Sequence, residues 1–321
     1  MWAGKPYTAI SLLAGVGLGS PSIRGNGLTA RATTIPQGAK WQIEIHDPID
    51  FSGSGAIEPA DAKVWTLDLW EAIGEDDDGK TAIQKLREHN GDDILIVCYF
   101  NGGGVQIWDD DFNSFSGYTY GGIGDWEGEY YVDVSAQTVV DLMVARISKG
   151  IAAGCDGFDP DNVDAFSQEL TSKDGETKLD ESAYVTFLGE LAKPIHEAGK
   201  LLGQKNAGEL TEGLLAGGIT DFAVLESCLE YDFCTDFEEA YAQQGKPVLQ
   251  IEYPASVQAS TDDDDTVCPV SPASDADYES VCGSPFGGFS TVIKQDGGAC
   301  GLNGFVQYCD GQGVVVTPTE S

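Results

Sequence analysis

Short apolar runs recur along the chain from residue 41 onward, separated by polar and amphipathic stretches. Several runs are apolar at almost every position, which is typical of strands covered on both faces of a sheet. The pattern predicts strands over residues 41–45, 63–69, 94–100, 130–134, 154–161, 201–206, 222–227 and 248–253. A chain of 321 residues is long enough to bury a sizeable core around them.

Helical patterns occupy stretches between several of these runs. Residues 82–90 follow Thr81, which suits an N-cap, and residues 135–154 run from a serine to a glycine, a favourable start and stop. Residues 181–199 carry apolar side chains on one face and meet Pro194, where we expect a kink or break. This alternation predicts a parallel sheet with right-handed crossovers.

About eight strand–helix units favour an α/β fold of the closed (β/α)8 TIM-barrel type, in a single domain that ends in a Cys-rich C-terminal segment. An open doubly wound sheet is the alternative. It is disfavoured because no phosphate-binding glycine motif follows a first strand. We place a signal peptide and leader over residues 1–38, the barrel domain over residues 39–313 and a tail over residues 314–321.

The N-terminal stretch has the layout of a secretory signal peptide. Lys5 precedes an apolar run over residues 9–18, and small residues follow, with one candidate processing point at residues 30–32. The run is too short to cross a bilayer, and no other stretch approaches the roughly 18 apolar residues that a span needs. We therefore expect a secreted, extracellular protein without a membrane span.

The charge of the chain is strongly negative, with 53 acidic and 17 basic residues and a formal net charge of −36. Such a surface repels nucleic acid and anionic membranes, so we exclude both as partners. Solubility in an acidic or salty exterior explains the charge without any ligand. The sharper hypothesis is a polycationic substrate.

Eight cysteines accompany only three histidines, and no paired Cys-x-x-Cys set lies near a histidine, which argues against a zinc site. Disulfides are the better interpretation for an exported chain. We predict a bridge between Cys228 and Cys234 and two further bridges near the C-terminal end, whose cysteines are Cys268, Cys282, Cys300 and Cys309. Cys98 and Cys155 either pair or remain buried thiols.

The carboxyl ends of the predicted strands carry polar side chains, at the edge where barrels of this type place their chemistry. These side chains are Asp68, Tyr99, Asn101, Asp159, Asp161, Asn162, Lys205, Asn206, Glu226, Glu252 and Tyr253. A helix cap explains any single acid there, but it explains the whole set poorly. Carboxylates without a Ser-His arrangement point to glycoside hydrolysis, which needs one carboxylic acid and a second carboxylate. Trp65, Trp108 and Trp126 suit sugar stacking, although each also suits a core position.

Eight segments follow one another between residues 41 and 253, with a looser continuation to Cys309. They read WQIEIHDPID, VWTLDLW, VCYFNGGGVQIWDDD, DWEGEYYVDV, GCDGFDPDNVD, GQKN, AVLESCLEYDFC and VLQIEY. In this order they resemble glycoside hydrolase family 114, the endo-α-1,4-polygalactosaminidase-like barrels of fungi and bacteria. The series is specific, whereas no single segment is. The resemblance implies a TIM barrel that cleaves α-1,4-linked galactosamine polymers internally.

The resemblance places the catalytic pair on Asp161 of DPDN and Glu226 of LESC. We assign Asp161 as the nucleophile of a retaining mechanism and Glu226 as the acid/base; an inverting enzyme uses the same pair at a wider separation. The predicted substrate-binding residues are Asp68, Tyr99, Asp159, Asn162, Lys205, Asn206, Glu252 and Tyr253. Asp156 is interpreted as a structural partner of its loop, and Asp164 as a second residue that orients Asp161 or binds the sugar.

Two positions depart from the family pattern and leave the exact sugar open. Asp159 stands where the family often has glutamate, so this acid is shorter by one methylene. Leu225 stands where the family often has asparagine, which removes an amide beside Glu226. Some members of the family are labelled α-galactosidases, and an enzyme for neutral α-galactosides is therefore an alternative.

Two further alternatives belong to other classes of protein. One is a non-catalytic carbohydrate-binding barrel, which the presence of both Asp161 and Glu226 disfavours. The other is a calcium-stabilised acidic surface protein, in which the acidic run over residues 261–266 holds the ion rather than forming a solvated loop. The preferred hypothesis is a monomeric enzyme that acts on a cationic polysaccharide and uses no metal and no cofactor.

Overall fold

Eight parallel strands form the framework of the protein. The computed structural model describes residues 33–124, 126–259, 267–297 and 300–320. Its strands in chain order are β1 (Trp41–Glu44), β2 (Val64–Asp68), β3 (Leu95–Asn101), β4 (Gly104–Gln106), β5 (Thr119–Ile123), β6 (Trp126–Val132), β7 (Gly157–Asp161), β8 (Leu201–Lys205), β9 (Phe222–Glu226), β10 (Val248–Glu252), β11 (Phe289–Ile293), β12 (Phe305–Tyr308) and β13 (Val314–Val316). Its α-helices are α1 (Leu69–Ile73), α2 (Ala82–Asn90), α3 (Gln137–Ala153), α4 (Glu181–Glu197), α5 (Thr211–Ala216), α6 (Cys234–Ala240) and α7 (Asp275–Cys282).

The main sheet has the order β1-β2-β3-β7-β8-β9-β10-β11-β12-β13, and every pair from β1 to β11 is parallel. The eight parallel strands confirm the predicted (β/α)8 barrel class. The prediction that residues 130–134 form a barrel strand is wrong. These residues overlap β6, which lies in a separate antiparallel sheet. The eighth barrel strand is instead β11, which the pattern did not predict.

The seam between β1 and β11 is joined by side chains and by the C-terminal segment. Trp41 on β1 donates its indole N–H to the carbonyl of Ser290 on β11 (2.8 Å), and the Tyr308 hydroxyl donates back to the Trp41 carbonyl. Antiparallel β12 and β13 extend the sheet beyond β11. Residues 314–316, predicted as part of a tail, thus pair within the sheet, and Thr319 bridges to Ile49.

The barrel strands are buried on both faces, which explains their nearly continuous apolar sequences. One apolar cluster fills the interior and includes Trp41, Ile43, Val64, Val97, Phe222, Val224, Leu249, Ile251 and Val292. A second cluster lies between the strands and the surrounding helices and includes Trp65, Leu86, Ile96, Ile147, Phe158 and Leu188. Trp65 is fully buried, so this candidate for sugar stacking is a core residue.

A small antiparallel sheet of order β4-β6-β5 is inserted between β3 and α3. The turn that leads into it approaches β7 closely: the Gly103 N–H donates to the carbonyl of Asp161 (2.8 Å). A Cβ on Gly103 would come within 1.8 Å of the carbonyl oxygen of Asn162, so only glycine fits there. The glycine run after β3 therefore attaches the small sheet to the barrel mouth.

Four disulfides stabilise the chain, and they confirm the predicted Cys228–Cys234 bridge. The others are Cys98–Cys155, Cys268–Cys300 and Cys282–Cys309. The two C-terminal bridges confirm the prediction of two disulfides among the last four cysteines. Cys98 and Cys155, for which the sequence left a bridge or two buried thiols open, form a bridge. Within the described ranges, no helix is long and apolar enough to cross a membrane. The predicted signal run and the acidic run over 261–266 lie outside the described residues.

Candidate active site

All eight barrel strands carry a polar residue at or just beyond the carboxyl end. In strand order these residues are Glu44, Asp68, Asn101, Asp161, Lys205, Glu226, Glu252 and Lys294. This edge of a (β/α)8 barrel holds the catalytic groups of essentially all characterised enzymes with the fold. The neighbouring strands β7, β8 and β9 bring Asp161, Lys205 and Glu226 together there.

Asp161 ends β7 and is held by two hydrogen bonds. The Tyr99 hydroxyl on β3 donates to Oδ2 (2.8 Å), and the peptide N–H of Asn162 donates to Oδ1 (2.8 Å). Burial, followed by the charge of Asp161, raises the pKa of Tyr99 well above its usual value, so the hydroxyl stays a donor. Both carboxylate oxygens of Asp161 are therefore fixed in place.

Glu226 ends β9 in an environment of the same kind. The Tyr253 hydroxyl donates to Oε1 (2.6 Å), while the peptide N–H of Glu226 donates to the side-chain oxygen of Asn206 (2.9 Å). Burial and then the charge of Glu226 raise the pKa of Tyr253 well above its usual value. Each carboxylate of the predicted pair thus has its own tyrosine, from β3 for Asp161 and from the end of β10 for Glu226.

Lys205 lies between the two carboxylates. Its Nζ is 3.5 Å from Asp161 Oδ2 and 3.2 Å from Glu226 Oε2. Both contacts are charge contacts rather than well-aligned hydrogen bonds, and the Nζ atom itself is buried. Burial lowers the pKa of Lys205, but the charges of Asp161, Glu226 and Asp159 raise it by a larger amount. The net effect is a raised pKa, so the ammonium stays charged. Because one ammonium contacts both, the nearest carboxylate oxygens are at most about 7 Å apart.

Asp159 lies one step below Asp161 on β7 and is fully buried. Neither of its carboxylate oxygens has a hydrogen-bond partner. Burial raises the pKa of Asp159 to about 7, against the Lys205 ammonium, which lowers it. A third carboxyl group thus adjoins Lys205 beneath the catalytic pair, and it changes charge near neutral pH.

Asn162 and Asn206 both adopt the left-handed backbone region, with φ of 57° and 41°. Asparagine tolerates this conformation better than most residues. Asn162 turns the chain so that its N–H reaches Asp161, and Asn206 orients the peptide of Glu226. The two asparagines predicted beside the catalytic pair therefore set the geometry of its two strand ends.

Asp68 and Glu252 have structural partners. Asp68 caps α1 by accepting from the N–H groups of Trp70 and Glu71, and burial raises its pKa to about 6. Glu252 is 4% exposed and accepts from the Leu229 N–H and from Gln250. Because Leu249 and Ile251 fill the barrel interior, strand alternation turns Glu252 outward and Tyr253 inward.

Asp156 lies at the opposite end of β7 from the site. It forms ion pairs with Arg87 (2.7 Å) and Lys200 (2.9 Å) and accepts from the Ile96 N–H. These contacts connect α2, β3 and the start of β8. Asp156 is therefore a structural residue, as predicted. Asp164, in contrast, lies close enough to Asp161 that the two charges interact, and burial raises its pKa.

The small sheet contributes Glu129, which the sequence analysis missed. Glu129 is buried and accepts from the side-chain amides of Asn101 (3.0 Å) and Gln106 (2.9 Å). Burial and the charge of Asp161 raise its pKa. Its only sequence signal was membership of the DWEGEYYVDV segment, because alternation within that segment does not show which face meets the barrel.

Arg146 is a second residue that the sequence analysis missed. This α3 residue is 1% exposed and forms ion pairs with Asp109 (2.8 Å) and Asp111 (2.6 Å). Its guanidinium also lies over the Trp70 and Phe115 rings. Arg146 thus holds the loop after β4 against the barrel, which positions the small sheet at the mouth.

A barrel that collects carboxylates and an ammonium at this edge is the framework of a glycoside hydrolase. The family model of glycoside hydrolase family GH114 matches residues 26–314, and the chain belongs to this family. No curated protein matches the chain.

Two solved structures are similar to this chain. The crystal structure of Aspergillus fumigatus Ega3 in complex with galactosamine has 28% identity and a TM-score of 0.65, covering 89% of this chain and 100% of that one. The glycoside hydrolase domain of PelA from Pseudomonas aeruginosa has 14% identity and a TM-score of 0.56, covering 88% and 99%. The second likeness supports the fold alone.

Proposed function

We propose that the protein is an endo-acting glycosidase for α-1,4-linked galactosamine polymers, with Asp161 and Glu226 as its catalytic pair. The observation that carries this proposal is the arrangement on β7, β8 and β9. There the Lys205 ammonium bridges two carboxylates, and each carboxylate accepts a hydrogen bond from a tyrosine hydroxyl. A pair of carboxyl groups at this spacing is what glycoside hydrolysis requires.

The proposed reaction retains the anomeric configuration. Asp161 attacks the anomeric carbon while Glu226 protonates the leaving oxygen, so the glycosidic bond breaks as a glycosyl–Asp161 ester forms. Glu226 then takes a proton from water, which hydrolyses the ester and restores both carboxyl groups. A separation of at most about 7 Å between the nearest carboxylate oxygens is compatible with the retaining distance of about 5–5.5 Å.

The roles of the two acids follow from how each is held. Asp161 is short and has both oxygens hydrogen-bonded, which suits a nucleophile that must be aligned for attack. Glu226 is longer by one methylene, which lets its carboxyl group reach the leaving oxygen. The Lys205 ammonium lies between the two acids and would stabilise negative charge as it shifts between them.

The binding residues follow the same geometry. Tyr99, Asp159, Asn162, Lys205, Asn206 and Tyr253 would surround the sugar at the cleavage point. Asp68 and Glu252 would contribute indirectly, by capping α1 and by supporting the loop that follows Glu226.

A cationic substrate fits the charge of the protein. The net charge of −36 would attract a polymer that carries an ammonium group on each de-N-acetylated sugar. At the mouth, Lys205 faces three carboxyl groups, those of Asp159, Asp161 and Glu226. Ega3, 28% identical to this chain, was crystallised with galactosamine.

The test is hydrolysis of a de-N-acetylated galactosamine polymer, with product sizes read by mass spectrometry. We expect Asp161→Asn and Glu226→Gln each to lower turnover at least about 10³-fold while the fold is retained. Asp92→Asn, on an exposed turn, is the matched control and should be neutral. Cleavage only of neutral α-galactosides would select the α-galactosidase alternative, and binding without cleavage would select a non-catalytic barrel.

We further infer that the enzyme is secreted and acts as a monomer. The four disulfides and the signal-like N-terminal run support export. The test is N-terminal sequencing and light scattering of the protein recovered from medium. An intact Met1 on cell-retained protein would contradict secretion.

A further inference from the structure

The small sheet presents three large apolar side chains to solvent. Trp108 is 59% exposed, Trp126 is 56% exposed and Ile107 is 55% exposed. All three lie within one insertion of the barrel, on β6 or in the turn that follows β4. An exposed cluster of this kind usually marks a binding surface. We call Ile107, Trp108 and Trp126 the tryptophan platform.

The side chains of Trp108 and Ile107 pack against Gly128 of β6. Gly128 has a φ of 93°, and a Cβ there would come within 2.9 Å of the Trp108 ring and 3.0 Å of the Ile107 side chain. The Ile107 N–H donates to the Gly128 carbonyl (3.0 Å). The Trp108 indole therefore rests on the bare backbone of β6, with its remaining surface open to solvent. Trp126 is two residues away, so its Cα lies at most about 7 Å from that of Gly128.

The platform lies beside the catalytic cleft without contributing to it. Glu129, the residue after Gly128, turns inward to Asn101 and Gln106 and interacts electrostatically with Asp161. Trp126 is three residues from Glu129, which is at most about 10 Å along an extended strand. The two residues are therefore close enough along β6 that a polymer several sugars long can span from the candidate site to the platform.

The chemistry of the platform favours a cationic sugar polymer as its ligand. Indole rings stack on the faces of sugar rings. Exposed carboxylates are near both indoles in the sequence: Asp110 is two residues after Trp108, and Glu127 directly follows Trp126. These acids complement ammonium groups and disfavour an anionic membrane surface. Three half-exposed side chains offer roughly 300 Å² of apolar area, well below the about 800 Å² per partner of a stable protein–protein interface.

We propose that the tryptophan platform is a second binding surface for the galactosamine polymer, which holds the chain beyond the sugars cleaved at Asp161 and Glu226. The inference rests on the proposed function for the identity of its ligand. It assigns the platform a role in binding long chains, while the bond-breaking groups remain those of the cleft.

The decisive experiment separates binding from cleavage. In a Glu226→Gln background, the double variant Trp108→Ala/Trp126→Ala should bind insoluble de-N-acetylated polymer about tenfold more weakly. Val270→Ala, which alters another exposed apolar side chain, is the matched control and should bind as the parent does. Asp110→Asn/Glu127→Gln should weaken binding to the de-N-acetylated polymer at low salt but leave binding to the fully acetylated polymer unchanged.

With Glu226 intact, the tryptophan variant should lose kcat/KM on long polymer about tenfold and keep that on short soluble oligomers. Unchanged polymer binding would overturn the proposal, as would an equal loss on short oligomers. A wild-type dimer that the double variant converts to monomer would overturn it in favour of a second copy of the chain. If the platform variant loses binding but the wild-type protein cleaves no polymer, the platform stands and the proposed hydrolysis fails.

Discussion

Two buried lysines sit at the same edge of the barrel and have opposite surroundings. Lys205 ends β8 and is 2% exposed; Lys294 follows β11 and is 0% exposed. Lys294 donates to the side-chain oxygen of Gln42 (3.2 Å) and to the carbonyls of Ile43 (2.7 Å) and Asn303. Three acceptors thus match its three donors, whereas Lys205 has charge contacts and no well-aligned acceptor.

The comparison shows that burial alone does not mark a functional lysine. Burial lowers the pKa of Lys294, and the charge of Glu44, whose own pKa burial raises, opposes that shift. At Lys205 three carboxyl groups outweigh burial and raise the pKa. Lys294 joins the β1–β11 seam, where each of its donors has an acceptor; Lys205 lies between two carboxylates at the candidate site.

The largest effect is expected at the seam. Lys294→Met leaves three buried oxygen acceptors without their donor, and each such unsatisfied acceptor costs about 1–3 kcal/mol. Urea unfolding measures the loss, and the folded fraction should keep its activity. Lys80→Met, which breaks the exposed pair with Glu88, should leave the unfolding midpoint nearly unchanged. Equal unfolding midpoints for the two variants would contradict the structural role of Lys294.

Lys205→Met should have the converse result. We expect kcat/KM on the polymer to fall about 10²–10³-fold, because the variant lacks the charge that stabilises the reacting centre. Near-ultraviolet circular dichroism should remain that of the wild type. Turnover close to wild type would mean that Lys205, like Lys294, is only structural.

Asp159→Asn should change how stability depends on pH. The pKa of Asp159 is about 7 in the folded protein against an ordinary value of 3.8, so the folded protein holds a proton that the unfolded chain has lost, and stability falls as pH rises from about 4 to 7. Between pH 5 and pH 8 this group removes about 2–3 kcal/mol. The variant should lack that decline in urea unfolding series; parallel wild-type and variant curves would refute it.

The smallest effects concern tyrosine hydroxyls. Tyr99→Phe and Tyr253→Phe each remove a hydrogen bond to a carboxylate of the proposed catalytic pair and should lower kcat/KM about tenfold. Tyr308→Phe removes the seam hydrogen bond to Trp41 and should lower stability by about 1 kcal/mol without changing kcat/KM. If Tyr308→Phe lowered kcat/KM more than Tyr99→Phe or Tyr253→Phe did, the assignment of Tyr308 to the seam and of the other two tyrosines to the site would be contradicted.

Strand patterns predicted most of the barrel but could not predict strand partners. Residues 130–134 have the pattern of a buried strand, yet β6 pairs with β4 because the glycine turn after β3 reverses the chain. β11 was missed because Ser290 and Thr291 interrupt its apolar run. The Thr291 hydroxyl donates to the Gln250 side chain on the neighbouring strand β10, a contact that local sequence does not reveal.

The site was predictable in position but not in side-chain direction. Strand ends identified Asp161, Lys205 and Glu226, and their proximity follows from adjacent parallel strands. In β10 both faces are apolar, so the sequence does not show whether Glu252 or Tyr253 points inward. Glu129 could not be found in this way, because its place depends on how the small sheet folds back over Asn101.

The Cys98–Cys155 bridge has a consequence for proteolysis. It joins β3 to the turn before β7, across a sequence separation of 57 residues that includes the small sheet and α3. A protease cut in an exposed loop of this excursion, such as the turn at Gly117, would leave two fragments linked by sulfur. Such a nicked protein should run as one species until a reductant is added, and then as two.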